Sequence, residues 1–426
     1  MNDNIEDIKL FEIIRSLSYS MDLISNTIVG HHKKVAYVAL QLGREMELSN
    51  IDIKKLVISA LIHDLGVFYL HQSFADLSFD SADNQHAEIG YILLQGIFPL
   101  EDVPEIIRYH HHHWEQESSE EIPLLSHILH IADRVAVIIE GKKNILDQKD
   151  VITNILKIYS GKYFFPKGVD NFLRIAEKES FWLDTISNSI IDKNIDSFFH
   201  IHGQDSINYQ EVLNIGYIIS SIIDFRSPFT ATHSDGVSVV AAHLGEFCGY
   251  CEMDLKKFQI AGYLHDIGKL IVPPHILNKG GGLSAQEWNI MRTHTYYTYQ
   301  ALSSSSELNT INQWASYHHE KLNGEGYPFH LNGDNLSVGS RILSAADIFT
   351  AITEDRPYRK GMSFDKSRDL IEQLGESGEL DKDILGIITE NFAEFYELRA
   401  ESQRNAMNYF NTFKVKIKDA LGQEQS

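Results

Sequence analysis

Cysteine and proline are both scarce in this 426-residue chain, at two and nine residues. No apolar run approaches the ~18 residues a membrane-crossing helix needs. Two cysteines exclude a disulfide scaffold by number, and a zinc site on the C-x-x-C of Cys248 and Cys251 would need two more ligands nearby. No thioredoxin-like βαβ context surrounds the pair, so they read as half-buried thiols at a helix end. Positive charge is also in deficit. Lys and Arg number 37 against 59 Asp and Glu, a net charge of −22, which argues against a broad basic surface for duplex DNA or anionic lipid. The acidic start MNDNIEDIKL lacks the basic segment of a signal peptide. These absences together lead us to expect a cytoplasmic protein with no membrane segment. The 43% hydrophobic and 11% aromatic content is ordinary globular composition, over a length that allows two or three domains.

Histidine is what the chain has in excess, 21 in all, and its placement repeats. The second half carries His233, His265-Asp266, His294, His318-His319 and Asp347. The first half carries His31, His63-Asp64, His86, His110-His111 and Asp133. From His31 to His63 is 32 residues, as from His233 to His265. From His86 to His110 is 24, as from His294 to His318. The intervals between are 23 against 29 and 22 against 28, so six residues are inserted at each of two places in the second half. Agreement of seven marks in order implies an internal duplication. Both halves share an ending, YSGKYFFPKGVDNFLRIAE and GESGELDKDILGIITENFAEF, which puts the boundary near the polar stretch HIHGQDS and divides the chain into 1–203 and 204–426.

Apolar residues recur at helical spacing in VAYVALQLGREM, VSVVAAHLGEF and KKFQIAGYLHD, where Phe258, Ala261 and Leu264 share a face. Convincing period-2 strands are absent, so the expected fold is all-α. Glycine and proline gather in IVPPHILNKGGGLS and LNGEGYPFHLNGD, which read as surface loops over the site.

Five imidazoles and two carboxylates per half are what a two-metal centre requires. Adjacent helical residues point about 100° apart, so His265 and Asp266 cannot chelate one ion from one direction. Asp266 has two oxygens, however, and could bridge two ions while His265 holds one of them. His294, His318 and His319 would then serve the second ion, and His233 and Asp347 would complete the first. Imidazole and carboxylate without thiolate favours Fe or Mn over Mg, Ni or Zn. Two such ions about 3.5–4 Å apart clamp a phosphoryl group and lower the pKa of a bridging water, giving a hydroxide nucleophile for phosphoester hydrolysis. On so acidic a chain, ions and a few local cations would have to invert the field at the site. A lone histidine is more often a surface or satisfied core residue, which covers His71, His200, His243, His275 and His330 but not a set recurring twice in register. In the run His110–His113, the first two are expected to be ligands and His112 and His113 bystanders.

The stretches HDIGK, HHEKLNGEGYP and AADIFTAITEDRPYRKGMS, spread over roughly residues 206–400, closely resemble the HD-GYP family of bacterial cyclic-dinucleotide phosphodiesterases, and the first half resembles a plain HD domain. The resemblance implies two tandem HD-type helical domains. In the second it implies metal ligation by His233, His265, Asp266, His294, His318, His319 and Asp347, with Lys269 and Asp266 in the chemistry. Lys269 would contact the scissile phosphate and stabilise developing charge. Tyr327 would meet the nucleotide, and Arg356 and Arg359 would hold phosphates. Arg341, which corresponds to His127, is placed with these substrate-binding residues. The expected reaction opens a cyclic dinucleotide to a linear 5′-phosphorylated dinucleotide by attack of a metal-bound hydroxide. Cyclic di-GMP and 3′,3′-cGAMP are both open as substrates, and a homodimer is open as the oligomeric state.

Several positions depart from the family pattern. Phe229 stands where members with a third metal carry Glu, so two divalent ions are expected in this domain. Thr350 and Thr295 also depart. In the first half the ligand types His31, His63, Asp64, His86, His110, His111 and Asp133 are intact, which allows one or two ions, but Val67 replaces the lysine and there is no GYP loop. That half can be a hydrolase acting on a linear nucleotide monophosphate, including the 5′-phosphate of its neighbour's product. It can also be a metal- or nucleotide-binding regulator, or a packing and dimerisation module. For the chain as a whole the rivals are a cyclic-dinucleotide sensor, against which Lys269 and the complete ligand set argue, and an HD-type di-iron oxygenase, against which the GYP loop and DRPYRK argue.

Overall fold

The computed structural model describes residues 8–22, 30–70, 84–115, 121–225, 232–303, 306–355 and 361–422; His71, Phe229, Arg356 and Arg359 lie outside these. Among the described residues the only sheet is a ribbon of two-residue strands, Ile8–Lys9 and Ser206–Ile207, and the remaining regular structure is helical. The fold is all-α. No helix among the described residues is long and apolar enough to cross a membrane. The chain divides into two compact units, Lys9–Asp205 with residues 417–422, and Ile8 with Ser206–Lys416.

The same helical core recurs in each unit. In the first, the helix His31–Glu45 packs against Asn50–Ile62 and Leu124–Ile138, and Gln85–Leu94 and Val103–Arg108 pack on each other beside them. In the second, His233–Phe247 packs against Glu252–Leu264 and Val338–Thr353, with His294–Leu302 and Asn309–Ser316 as the paired shorter helices. Local chemistry starts these elements where the sequence places polar caps. Ser49 accepts from the Asp52 amide, Ser337 from the Ser340 amide, and Ser284 and Glu287 form a reciprocal capping box at the helix Ala285–Met291. Burial follows the helical period, with Ile53, Leu56, Val57 and Ala60 inside one unit and Phe258, Ala261 and Leu264 inside the other.

The segments expected as loops are partly so. Pro274–Leu277 is a short helix, and 320–332 runs without helix to the 3-10 turn Gly333–Asn335. Cys248 and Cys251 are free, the second exposed, in the turn between two helices.

One close approach sets the spacing of the site. The chain turns sharply after each His-Asp pair, and the glycine that follows lies against the helix carrying the isolated histidine. A Cβ at Gly268 would stand 1.9 Å from the His294 carbonyl oxygen, and one at Gly66 2.0 Å from that of His86. Only glycine lets the two backbones meet there. Gly268→Ala is therefore expected to destabilise the protein by about 1–3 kcal/mol, measured by denaturant unfolding, and to weaken metal retention by displacing His294.

Candidate functional site

In the second unit the seven predicted side chains converge from five helices. His233 opens one helix, His265 and Asp266 follow the end of another, His294 opens a third, His318 and His319 follow Asn309–Ser316, and Asp347 lies within Val338–Thr353. All are buried except His319, whose side chain is 29% exposed toward the neighbouring cavity. The ligand atoms of His294, His318 and His319 lie within 4.8 Å of one another, and so do those of His233, His265 and Asp347. Asp266 stands between the groups. Its Oδ1 is 3.4 Å from His294 Nε2 and 4.0 Å from His318 Nε2, and its Oδ2 is 3.2 Å from His265 Nε2.

Main-chain contacts fix which nitrogen each ring presents. The Nδ1 atoms of His265, His294 and His318 lie 2.7, 2.7 and 2.6 Å from the carbonyl oxygens of Gly262, Met291 and Ala315. Each carbonyl can only accept, so Nδ1 carries the proton and Nε2 faces the centre with its lone pair. His233 is held differently, its Nδ1 3.1 Å from Glu354 and its Nε2 3.0 Å from Asp347. Burial lowers His294 to about 3, His319 to about 4 and His318 well below the usual histidine range, which keeps these rings neutral. Burial also opposes charge on His233, but Glu354 and Asp347 outweigh it and push the ring up to about 10 when no ion is present. Against burial, His265 and Lys269 hold Asp266 well below the usual carboxylate range.

This donor set fits divalent ions. The buried Asp266 Oδ1 has no hydrogen-bond partner among the described residues although it points into a group of lone pairs, an arrangement a cation would satisfy. Neutral imidazoles, ionised carboxylates and no thiolate make a hard to borderline site.

Around the centre, Lys269 lies on the 3-10 turn Ile267–Ile271 and its ammonium pairs with Asp266 Oδ2. The GYP segment is folded back by Glu320, a buried carboxylate that accepts from the Phe329 and Leu331 amides at 2.6 and 3.0 Å. A Cβ at Gly326 would sit 2.4 Å from Glu320 Cα, so the loop lies flat on its own anchor. Tyr327 thereby stands 5.0 Å, ring to ring, from His319 and 6.2 Å from Trp288. These three rings, with Arg292, line a cavity of about 410 Å³. Sequence reasoning missed Trp288, Arg292, Glu320 and Glu354. Only the greater length between His265 and His294 hinted at the first two.

Arg341, expected among the substrate-binding residues, is held within the fold. Its guanidinium donates to the carbonyls of Leu336 and Gly333 at 3.0 and 2.6 Å and to Asp381 at 3.0 Å, and it does not line that cavity. It ties the end of the loop to the following helices. Three of its five N–H donors are thereby engaged within the protein.

The first unit repeats the arrangement. His86, His110 and His111 form one group and His31, His63 and Asp133 the other. Asp64 faces both, with Oδ1 3.5 Å from His86 and Oδ2 3.3 Å from His63. Nδ1 of His63 and His110 rest on the carbonyls of Ala60 and Ile107 at 2.9 and 2.6 Å. Buried His63 Nε2 and Asp64 Oδ2 have no hydrogen-bond partner among the described residues. The surroundings differ. Val67 is buried where the second unit has Lys269, and Arg134, at the position of Ile348, donates to Asp133 Oδ2. His113, expected to be a bystander, stacks on Tyr163 at 4.0 Å and faces the buried His130 at 5.9 Å. His32, adjacent to His31, lies between Asp22 and Asp64. Burial opposes its protonation, but these carboxylates push it up to about 10.

Two helical units, each gathering imidazoles around an adjacent His-Asp pair, define a tandem HD-type protein. Comparison with known families agrees: residues 28–138 match one HD domain model and residues 218–384 another, so the chain belongs to the HD domain family and carries the domain twice. Its second copy has the HD-GYP form of the motifs. Among curated relatives it is similar to the 3′3′-cGAMP-specific phosphodiesterase 1 of Vibrio cholerae, at 28% identity over 93% of this chain and 95% of that one. It is also similar to phosphodiesterase 3 of the same specificity and organism, at 34% over 61% and 57%, and to a cyclic di-GMP phosphodiesterase of Thermotoga maritima, at 31% over 45% and 50%. A crystal structure of the V. cholerae cyclic GMP-AMP phosphodiesterase V-cGAP3 has the same fold, with a TM-score of 0.64 at 24% identity over 94% of this chain and 98% of that one.

Glu354 orients His233 from outside the ligand set. Glu354→Gln is expected to weaken divalent-metal binding in the second unit about 10–100-fold, measured by chelator competition, and also to lower the melting temperature of the metal-free protein at neutral pH, because the protonated His233 loses a buried carboxylate partner.

Proposed function

We propose that the second domain is a metal-dependent phosphodiesterase that opens the ring of a cyclic dinucleotide, 3′,3′-cGAMP in preference to cyclic di-GMP, to a linear 5′-phosphorylated dinucleotide in the cytoplasm. The observation that carries this is Asp266, a buried carboxylate whose two oxygens face two separate imidazole groups beside an aromatic-walled cavity. The relative matched nearly end to end is named for 3′3′-cGAMP, which supports that preference.

The residues divide the work. His294, His318 and His319 with Asp266 would hold one ion, and His233, His265 and Asp347 with the same aspartate the other, with Fe or Mn favoured. Ions bound there neutralise charge on a phosphoryl oxygen and make water a better nucleophile at neutral pH. Lys269 places an ammonium at the same aspartate, where it can stabilise charge gathering on phosphorus or on the departing 3′-oxygen. Trp288 and Tyr327 offer faces for stacking bases, and the cavity falls in the size range of small-molecule sites. Arg292 lies at the same wall for a phosphate.

For the first domain, the repeated centre supports a hydrolase acting on the terminal 5′-phosphate of the linear product. It has no GYP sequence, and among the described residues the rings of His113, His130 and Tyr163 lie beside it.

The test is product analysis of Mn- or Fe-loaded protein given each cyclic dinucleotide. The double variant His265→Ala/Asp266→Ala is expected to leave the ring intact, and His63→Ala/Asp64→Ala to accumulate a linear dinucleotide still bearing its 5′-phosphate. Ring opening by the first variant would reject the assignment of the second domain. Lys269→Met is expected to lower kcat about 10²–10³-fold at unchanged metal content.

A further inference from the structure

The two centres share a frame in which Asp22 corresponds to Asp224 and His32 to Ser234. In the second domain Ser234 Oγ lies 3.4 Å from Asp224 Oδ1, and serine offers no imidazole to the centre. In the first, the aspartate is kept and its partner is a histidine. Asp22 Oδ1 lies 2.6 Å from His32 Nδ1 and accepts from the His32 amide at 3.2 Å. The ring is buried, and its Nε2 lies 3.6 Å from Asp64 Oδ2. With His63 Nε2 and Asp64 Oδ2 it forms a further group whose ligand atoms lie within 4.8 Å of one another. The latter two are the buried atoms that have no hydrogen-bond partner.

Metal-binding histidines characteristically have their second nitrogen fixed by a carboxylate or carbonyl. His32 meets that criterion through Asp22. His31 does not: its Nδ1 has no hydrogen-bond partner among the described residues, and Glu140, the counterpart of Glu354, is exposed and pairs with Lys143 at 2.6 Å. In the first domain the orienting role thus falls to Asp22, at the end of the helix Leu10–Asp22, and the imidazole it orients is the neighbour of His31.

We infer that His32 is an eighth protein ligand of the N-terminal centre, binding a divalent ion together with His63 and Asp64 and oriented by Asp22. This rests on reading that centre as a metal site. The two domains then bind metal with different ligand sets, the first richer by one imidazole on the side where the second has its lysine.

The test uses the full chain carrying His265→Ala/Asp266→Ala, so that Mn(II) bound is that of the first domain. Mn(II) affinity is measured by chelator competition, and coordinated nitrogens are counted by pulsed electron paramagnetic resonance. His32→Ser is expected to weaken one bound ion at least 10–100-fold and remove one coordinated nitrogen, and Asp22→Asn to weaken it about 10-fold. Unchanged affinity and nitrogen count in both variants, with the parent binding Mn(II), overturns this inference alone. A parent that binds no Mn(II) overturns it together with the reading of the N-terminal centre. Should His32→Ser not fold, Asp22→Asn, which keeps shape and volume, decides by the same readings.

Discussion

A carboxylate cannot stay ionised inside a protein unless cations or donors surround it, and each half of this chain is organised around one that does. Asp266 and Asp64 sit at the junction of two imidazole groups, each with one oxygen toward either group. Every other feature of the core serves that placement. The helix ends at the histidine before the aspartate, so the chain can turn. The glycine two residues on lets the turn abut the next helix, which brings the isolated histidine within reach. Main-chain carbonyls set three of the rings in the second domain so that lone pairs, not protons, face the carboxylate.

Around this shared core the halves have diverged in opposite ways. The second invests in an open wall, where Trp288 and Tyr327 flank a cavity beside His319 and Lys269 stands at the central aspartate. The first is crowded with polar and aromatic rings. Arg134 occupies one oxygen of Asp133, and His113 and His130 face each other where the second domain has Lys321 and Ser344.

Much of this was legible in the sequence, for a physical reason. Ligand spacing along helices is rigid, so a register repeated over 32 and 24 residues specifies a geometry, and the helices and both ligand groups could be named from it. What could not be named are partners that the backbone brings in from elsewhere. Glu354 lies 121 positions from His233, and Trp288 reaches Tyr327 only because two lengthened segments meet. For Arg341 the sequence showed only its correspondence to His127, not that the carbonyls of Gly333 and Leu336 and the Asp381 carboxylate take three of its donors. His32 was passed over because its neighbour already filled the repeat.

Glu320 has a wider bearing. It is the residue immediately after the histidine pair, and its carboxylate holds the loop by main-chain amides rather than by side chains. Amides are common to every residue but proline, so the residues between the anchor points can change without releasing the loop. Recognition is in this sense a removable part, clipped to the ligand core at one carboxylate. The first domain has His112, not a carboxylate, at that position. Two copies of one gene segment could thus drift toward different substrates while the inorganic part of the machine stayed under a single constraint.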